Sequence, residues 1–153
     1  MQESEQGFRW DLRVASNQRD RASVFARRHS FEVGAPLGFD AAYERITALE
    51  YALGALGADL VNGLQEVARR KRVALDHVEA LVQGKLHNAL TYLGVVGEQG
   101  SPGLERVTIK VYISTLEPEE NVRGVWEEML SRSPLVHTFR NAALLDLSLQ
   151  VRL

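Results

Sequence analysis

Hydrophobic and polar positions along this chain change period several times, and each change marks a predicted element. Phe8, Trp10, Leu12 and Val14 alternate with Arg9, Asp11 and Arg13, the period of a half-buried strand. Asn17-Gln18-Arg19-Asp20 is a polar turn; a second strand through Ala22–Arg28 and a third around Ser30–Val33 complete an antiparallel meander. Gly34 to Asp40, with Pro36 and Gly38, predicts a loop. From Thr47 to Arg72 the period becomes helical: the segment has no proline and is rich in Ala, Leu, Glu and Arg. Thr47 followed three residues later by Glu50 has the form of a capping box. The first half of this helix is apolar nearly all round, the pattern of a helix buried in a core or a dimer. Gly54 and Gly57 would let another backbone approach, and the second half turns amphipathic and ends in Arg69-Arg70-Lys71-Arg72.

Beyond that helix the strand period returns. Val78, Ala80, Val82, Leu86 and Leu90 share one parity, and Val107, Ile109, Val111 and Ile113 alternate with Thr108, Lys110, Tyr112 and Ser114. Gly94–Gly103 predicts a hairpin-like connection between them. Pro118 to Ser131 predicts a second helix, with Glu119 and Glu120 in its first turn and an apolar face of Val122, Val125, Trp126, Met129 and Leu130. Ser133-Pro134 opens a short third helix to about Arg140, and Ala143, Leu145, Leu147, Leu149 and Val151 form a last alternating strand. Strands and helices are segregated, so the expected class is α+β with antiparallel sheets.

Length and composition narrow the function classes. The 153 residues suit one domain, expected to span 1–153 with a flexible start over about residues 1–6. A net charge of −2 gives no global pull toward nucleic acid or an anionic membrane, so neither is an expected partner. The opening MQESEQ lacks a secretory pattern, and the apolar run Tyr51–Val61 falls short of the roughly 20 residues that span a bilayer. A cytoplasmic location is the expectation. The chain has no cysteine, which excludes disulfides, thiolate metal sites and any cysteine nucleophile within it. His29, His77, His87 and His137 follow no metal-ligand spacing, and no metal or other cofactor is expected.

Two places carry candidate chemistry. Asp59 is a lone acid in the small, apolar half of the long helix, and Ser133-Pro134 opens the short one. Asp59 with Asn62, Glu66 and Arg69 also fits a polar helical stripe. Ser133 before Pro134 equally has the form of an N-cap followed by proline at the first helical position. The clusters Arg27-Arg28-His29 and Arg69–Arg72 fit a charged strand end and a helix C-terminus, while Trp10 and Trp126 fit apolar faces at a core or an interface.

The stretch HSFEVGAPLGFD followed by ALEYALGALGADLVNGLQEVARRK, together with WEEMLSRSPLVHTFRNAALLDLSLQV near the end, resembles the OsmC/Ohr family of thiol peroxidases. The resemblance runs from about Phe8 to Leu153. It implies an OsmC-like fold, with sheets packed around a long central helix in an intertwined homodimer. It places the family's first cysteine at Asp59 and its second at Ser133, which keeps its proline as Pro134. The family's helix-start acid is matched by Glu50, one position out of register with Leu49. Its catalytic arginine is matched by Arg19 or Arg21.

In such enzymes a thiolate attacks the peroxide and a second thiol resolves the sulfenic acid. A carboxylate and a hydroxyl cannot do this, so thiol peroxidase chemistry is excluded. The expected function is a stress-related, OsmC-like dimer that is structural or binds a small hydrophobic ligand at the dimer interface. The alternative is a hydrolase or acid–base enzyme using Asp59, Ser133 and His137 in the former peroxidase pocket.

Overall fold

The computed structural model describes residues 8–39 and 44–153. The expectations for residues 1–6 and for the end of the loop at Asp40 lie outside the described residues. The chain divides into two compact units, Met1–Tyr51 and Ala52–Leu153.

The first unit holds an antiparallel sheet in the order β1-β2-β3, formed by β1 (Arg13–Gln18), β2 (Arg21–Ala26) and β3 (His29–Gly34). The meander is as expected, but its first strand starts later than the alternation from Phe8 suggests. Arg13 pairs with Phe25, and β2 ends one residue further on at the Arg27 turn, where φ is 56°. Residues before Leu12 therefore have no strand edge to bond, and Phe8, Trp10 and Leu12 precede the sheet as exposed side chains. Trp10 is 77% exposed, so of the two placements expected for it, core or interface, the core within this chain is not the one it takes.

Arg21 and Arg45 share the carboxylates of Asp20 and Glu32 at 2.8–3.7 Å. Desolvation raises the Asp20 carboxyl, but the hydrogen bond from Arg45 and the charges of Arg21 and Arg45 outweigh it and hold it below its ordinary value.

The long helix α1 (Ala48–Lys71) begins with the capping box. Thr47 N–H and its hydroxyl donate to the Glu50 carboxylate at 3.1 and 2.9 Å, and Glu50 N–H donates to Thr47 Oγ1 at 3.4 Å. Thr47→Ala should cost about 1 kcal/mol of unfolding free energy, read from the urea midpoint at constant slope.

The second unit contains the remainder of α1, then β4 (His77–Leu86), α2 (Ala89–Tyr92), β5 (Leu104–Ser114), α3 (Glu119–Arg132), α4 (Pro134–Ala142) and β6 (Leu144–Arg152). Its sheet has the order β4-β5-β6 and is mixed: β4 and β5 are antiparallel, but β5 and β6 are parallel. This corrects the wholly antiparallel expectation. A parallel neighbour needs a crossover longer than a hairpin, and α3 and α4 form it.

Leu90 also moves. The strand ends at Leu86, and Asn88 caps α2 by accepting Thr91 N–H at 3.1 Å, so Leu90 is helical.

The core of this unit is one layer of helix on one face of the sheet. Leu56, Leu60, Leu64 and Val67 recur on one side of α1 and meet Val107, Ile109, Val111 and Ile113, the inward parity of the central strand β5. Val122, Val125, Trp126 and Met129 from α3 and Val136 from α4 close it. Gly57 is needed where α1 meets the sheet, because a Cβ there would stand 2.8 Å from Val82 Cγ2. Gly54 has open space instead, and Ala55 and Ala58 beside it are exposed, so the first half of α1 is not covered all round within one chain. Among the described residues no helix is long and apolar enough to cross a membrane.

Candidate functional site

The site forms where α1 meets the junction of α3 and α4. Proline disfavours helical backbone in the residue before it, and Ser133, at φ −72° and ψ 115°, is extended as Pro134 requires. That one residue stops α3, with its N–H donating to Met129 O at 3.0 Å, and caps α4. The Ser133 hydroxyl oxygen accepts Val136 N–H at 3.1 Å.

Across from it, Asp59 projects from α1. Ser133 Oγ donates to Asp59 Oδ2 at 2.5 Å, and Leu135 N–H donates to the same oxygen at 3.4 Å. The carboxylate thus reinforces the cap of α4 from another helix, and its charge suits the positive end of that helix. Ser133 is the N-cap, as one sequence reading has it, and its hydroxyl also meets Asp59 although 74 positions separate them; the convergence of both with His137 is not seen. Of the polar stripe proposed for Asp59, Asn62 and Arg69 are exposed, while Asp59 itself is partly buried and bonded across to α4.

Beside this pair lies a pocket of about 170 Å³. Asp59, Gly63, Glu66 and Arg70, at spacings of 4, 3 and 4, line it from α1; Met129, Arg132 and Pro134 face them. Gly63 is required there, since a Cβ would stand 2.8 Å from Met129 Cγ. The lining from α3 was not singled out in the sequence. Met129 fitted a core face, and nothing local tells which core residue also borders a cavity.

Glu66 receives Arg69 at 2.9 Å and Arg70 at 3.1 Å. The hydrogen bond from Arg69, with the charges of Arg69 and Arg70, holds its carboxyl below the ordinary 4.5. A folded-state pKa below the unfolded one gives stability that is complete above about pH 4.5 and is lost as the pH falls through the lower folded value. Urea midpoints measured across acid pH should therefore fall less steeply in Glu66→Gln than in the parent protein.

The remaining sequence candidates have other partners or surroundings of their own. The His137 ring is exposed, with Nε2 3.1 Å from Ser131 O, so the hydroxyl of Ser133 is directed to Asp59 and not to an imidazole. Glu50 spends its carboxylate on the capping box. Arg19 lies exposed in the turn between β1 and β2, and Arg21 bonds Gln18 and Glu32. Among the described residues no three His, Asp or Glu side chains are grouped to hold a metal ion.

No protein-family model and no curated protein sequence matches the chain. Solved structures do. An OsmC-like protein from Mycoplasma pneumoniae superposes with a TM-score of 0.77 at 14% identity, over 95% of this chain and 98% of the other. A Legionella pneumophila structure described as an organic hydroperoxide resistance protein OsmC gives 0.69 at 12% identity, over 95% and 98%. An organic hydroperoxide resistance protein from Elizabethkingia anophelis gives 0.67 at 17% identity, over 95% and 97%. The α+β architecture and these superpositions together give the chain the OsmC-like fold, in a version without a single cysteine.

Proposed function

We propose that this protein is an OsmC-like homodimer that binds a small, largely apolar molecule in the pocket beside Asp59 and Ser133, and that these two residues occupy the places of the family's reactive thiols. One observation carries the reading: two side chains 74 positions apart meet at 2.5 Å at the wall of a pocket that Val67, Met129 and Pro134 make partly apolar. Two thiols that must form a disulfide need the same convergence. Here the convergence serves a hydrogen bond, which fixes the pocket wall and carries no electrons.

The dimer is supported by what one chain leaves uncovered. In the first unit Val24 is the one buried apolar side chain among the described residues, while Phe8, Trp10, Leu12, Val14 and Phe39 are more than half exposed. A small sheet with so little core needs further apolar cover to be stable. A stress-related role and a cytoplasmic location belong to the same proposal.

Two measurements test it. Light scattering on the eluting protein should give the mass of two chains, and a folded monomer at micromolar concentration would remove the dimer. Small aromatic probes should shift the amide resonances of Gly63 and Arg132, and the absence of any such shift at millimolar probe would remove the pocket function.

A further inference from the structure

The charges around the pocket are not equally satisfied. Arg70 and Arg132 stand at its rim with their side chains 54% exposed, and each is already held by a carboxylate: Arg70 by Glu66 at 3.1 Å and Arg132 by Glu128 at 3.4 Å. Asp59 is partly buried and forms no ion pair with the described residues of its own unit. Its hydrogen bonds, from Ser133 Oγ and Leu135 N–H, both end on Oδ2. Oδ1 is left as an acceptor with no partner among the described residues. An ionised carboxylate has room for about four hydrogen bonds over its two oxygens, so one side of this group is saturated and the other is open.

The apolar lining adds shape to this asymmetry. Val67, Met129 and the ring of Pro134 border the same space as the Asp59 carboxylate. At about 170 Å³ the pocket is close to the ~150 Å³ apolar cavity size that accepts benzene. A ligand of about one ring matches this volume. Apolar pockets of this kind take their selectivity from the few polar groups placed in them.

From the Asp59 oxygen that Ser133 and Leu135 leave open we infer that the preferred ligand carries a cationic hydrogen-bond donor, an ammonium group on a small apolar body. This inference rests on the proposed binding function and specifies its ligand class. The ammonium donates to Asp59 Oδ1 and supplies the counter-ion that the carboxylate lacks, while the apolar body covers Met129 and Pro134. A charge-assisted hydrogen bond is about twice as strong as a neutral one, so the amine gains over an isosteric hydrocarbon or alcohol.

Four probes of matched shape separate the outcomes: toluene, benzyl alcohol, benzylamine and benzoate, titrated into the full-length protein and followed by amide shifts of Gly63 and Arg132. Benzylamine should bind at least about tenfold more tightly than toluene or benzoate, about 1.4 kcal/mol, and Asp59→Asn should erase that preference. Ala58→Ser, exposed on the same helix and outside the pocket lining, should keep the preference, which separates a lost anion from a general effect of substitution on α1. Equal binding of toluene and benzylamine, or an amine preference that survives in Asp59→Asn, would overturn the inference and leave the pocket function standing. Tightest binding of benzoate would overturn it in favour of the rim arginines. No binding of any probe would remove the proposed function itself.

Discussion

Replacing Asp59 and Ser133 together by cysteine should give a protein that closes an internal disulfide under mild oxidation. The two side chains already touch, with Oδ2 and Oγ 2.5 Å apart. A cysteine sulfur stands one bond nearer its backbone than the Asp59 oxygen, and the ~2.05 Å S–S bond is shorter than the contact it replaces; the longer C–S bonds offset part of this, and closure draws the two backbones together by roughly 1 Å. The bond would close a loop of 74 positions, for which chain entropy gives a stabilisation of about 4 kcal/mol over the reduced form. The readouts are loss of two free thiols in D59C/S133C and a higher urea midpoint that reverses with dithiothreitol. The single variants should show neither within one chain. A double variant that keeps both thiols free under oxidant would mean that α1 and the α3–α4 junction do not meet as described.

The second large effect lies in the layer beneath the site. Leu60 is 0% exposed, one position along α1 from Asp59, within the cluster that includes Ile109 and Met129. Leu60→Ala removes the buried branch without changing helix propensity unfavourably, and should destabilise the protein by about 3–5 kcal/mol. That is a large part of the 5–15 kcal/mol typical of a domain, so denaturant unfolding will show it clearly. Ala58→Ser, on the exposed side of the same helix, should change stability by no more than about 0.5 kcal/mol. Similar losses at the two positions would argue against one inward stripe on α1.

How much was legible in advance follows from where each feature is encoded. Helix α1 and its start were readable because Thr47 and Glu50 act on each other across three residues, and the helical period runs unbroken for 24 residues. The α3–α4 break was readable for the same local reason, since Pro134 dictates the backbone of Ser133.

The start of β1 was not. Phe8, Trp10 and Leu12 alternate as a strand should, but a strand also needs an edge to bond, and β2 ends before reaching Phe8 and Trp10. The direction of β6 was equally hidden, because its side chains alternate the same way whether it runs parallel or antiparallel to β5. Leu90 misled because its parity matched β4, while Asn88 three residues before Thr91 carried the cap that ends the strand reading.

The site was half legible. Asp59 and Ser133 could be paired only through a resemblance that covers the chain, because no local rule joins positions so far apart. His137 looked like a partner from its spacing of four to Ser133, yet its ring turns to Ser131 O. Spacing along a helix places a Cα on a face; it does not choose the rotamer. Gly63 and Met129 border the pocket in close contact, a signal visible only once the helix packing is known.

The proposed function puts a hydrogen-bonded Asp59–Ser133 pair in the place of a thiol couple on the OsmC-like fold. Consumption of an organic hydroperoxide by the purified full-length protein, with a dithiol as reductant, tests it most directly. The predicted rate is that of the buffer and dithiol alone. Hydroperoxide turnover above that background, proportional to protein and retained in Asp59→Asn and Ser133→Ala, would contradict it.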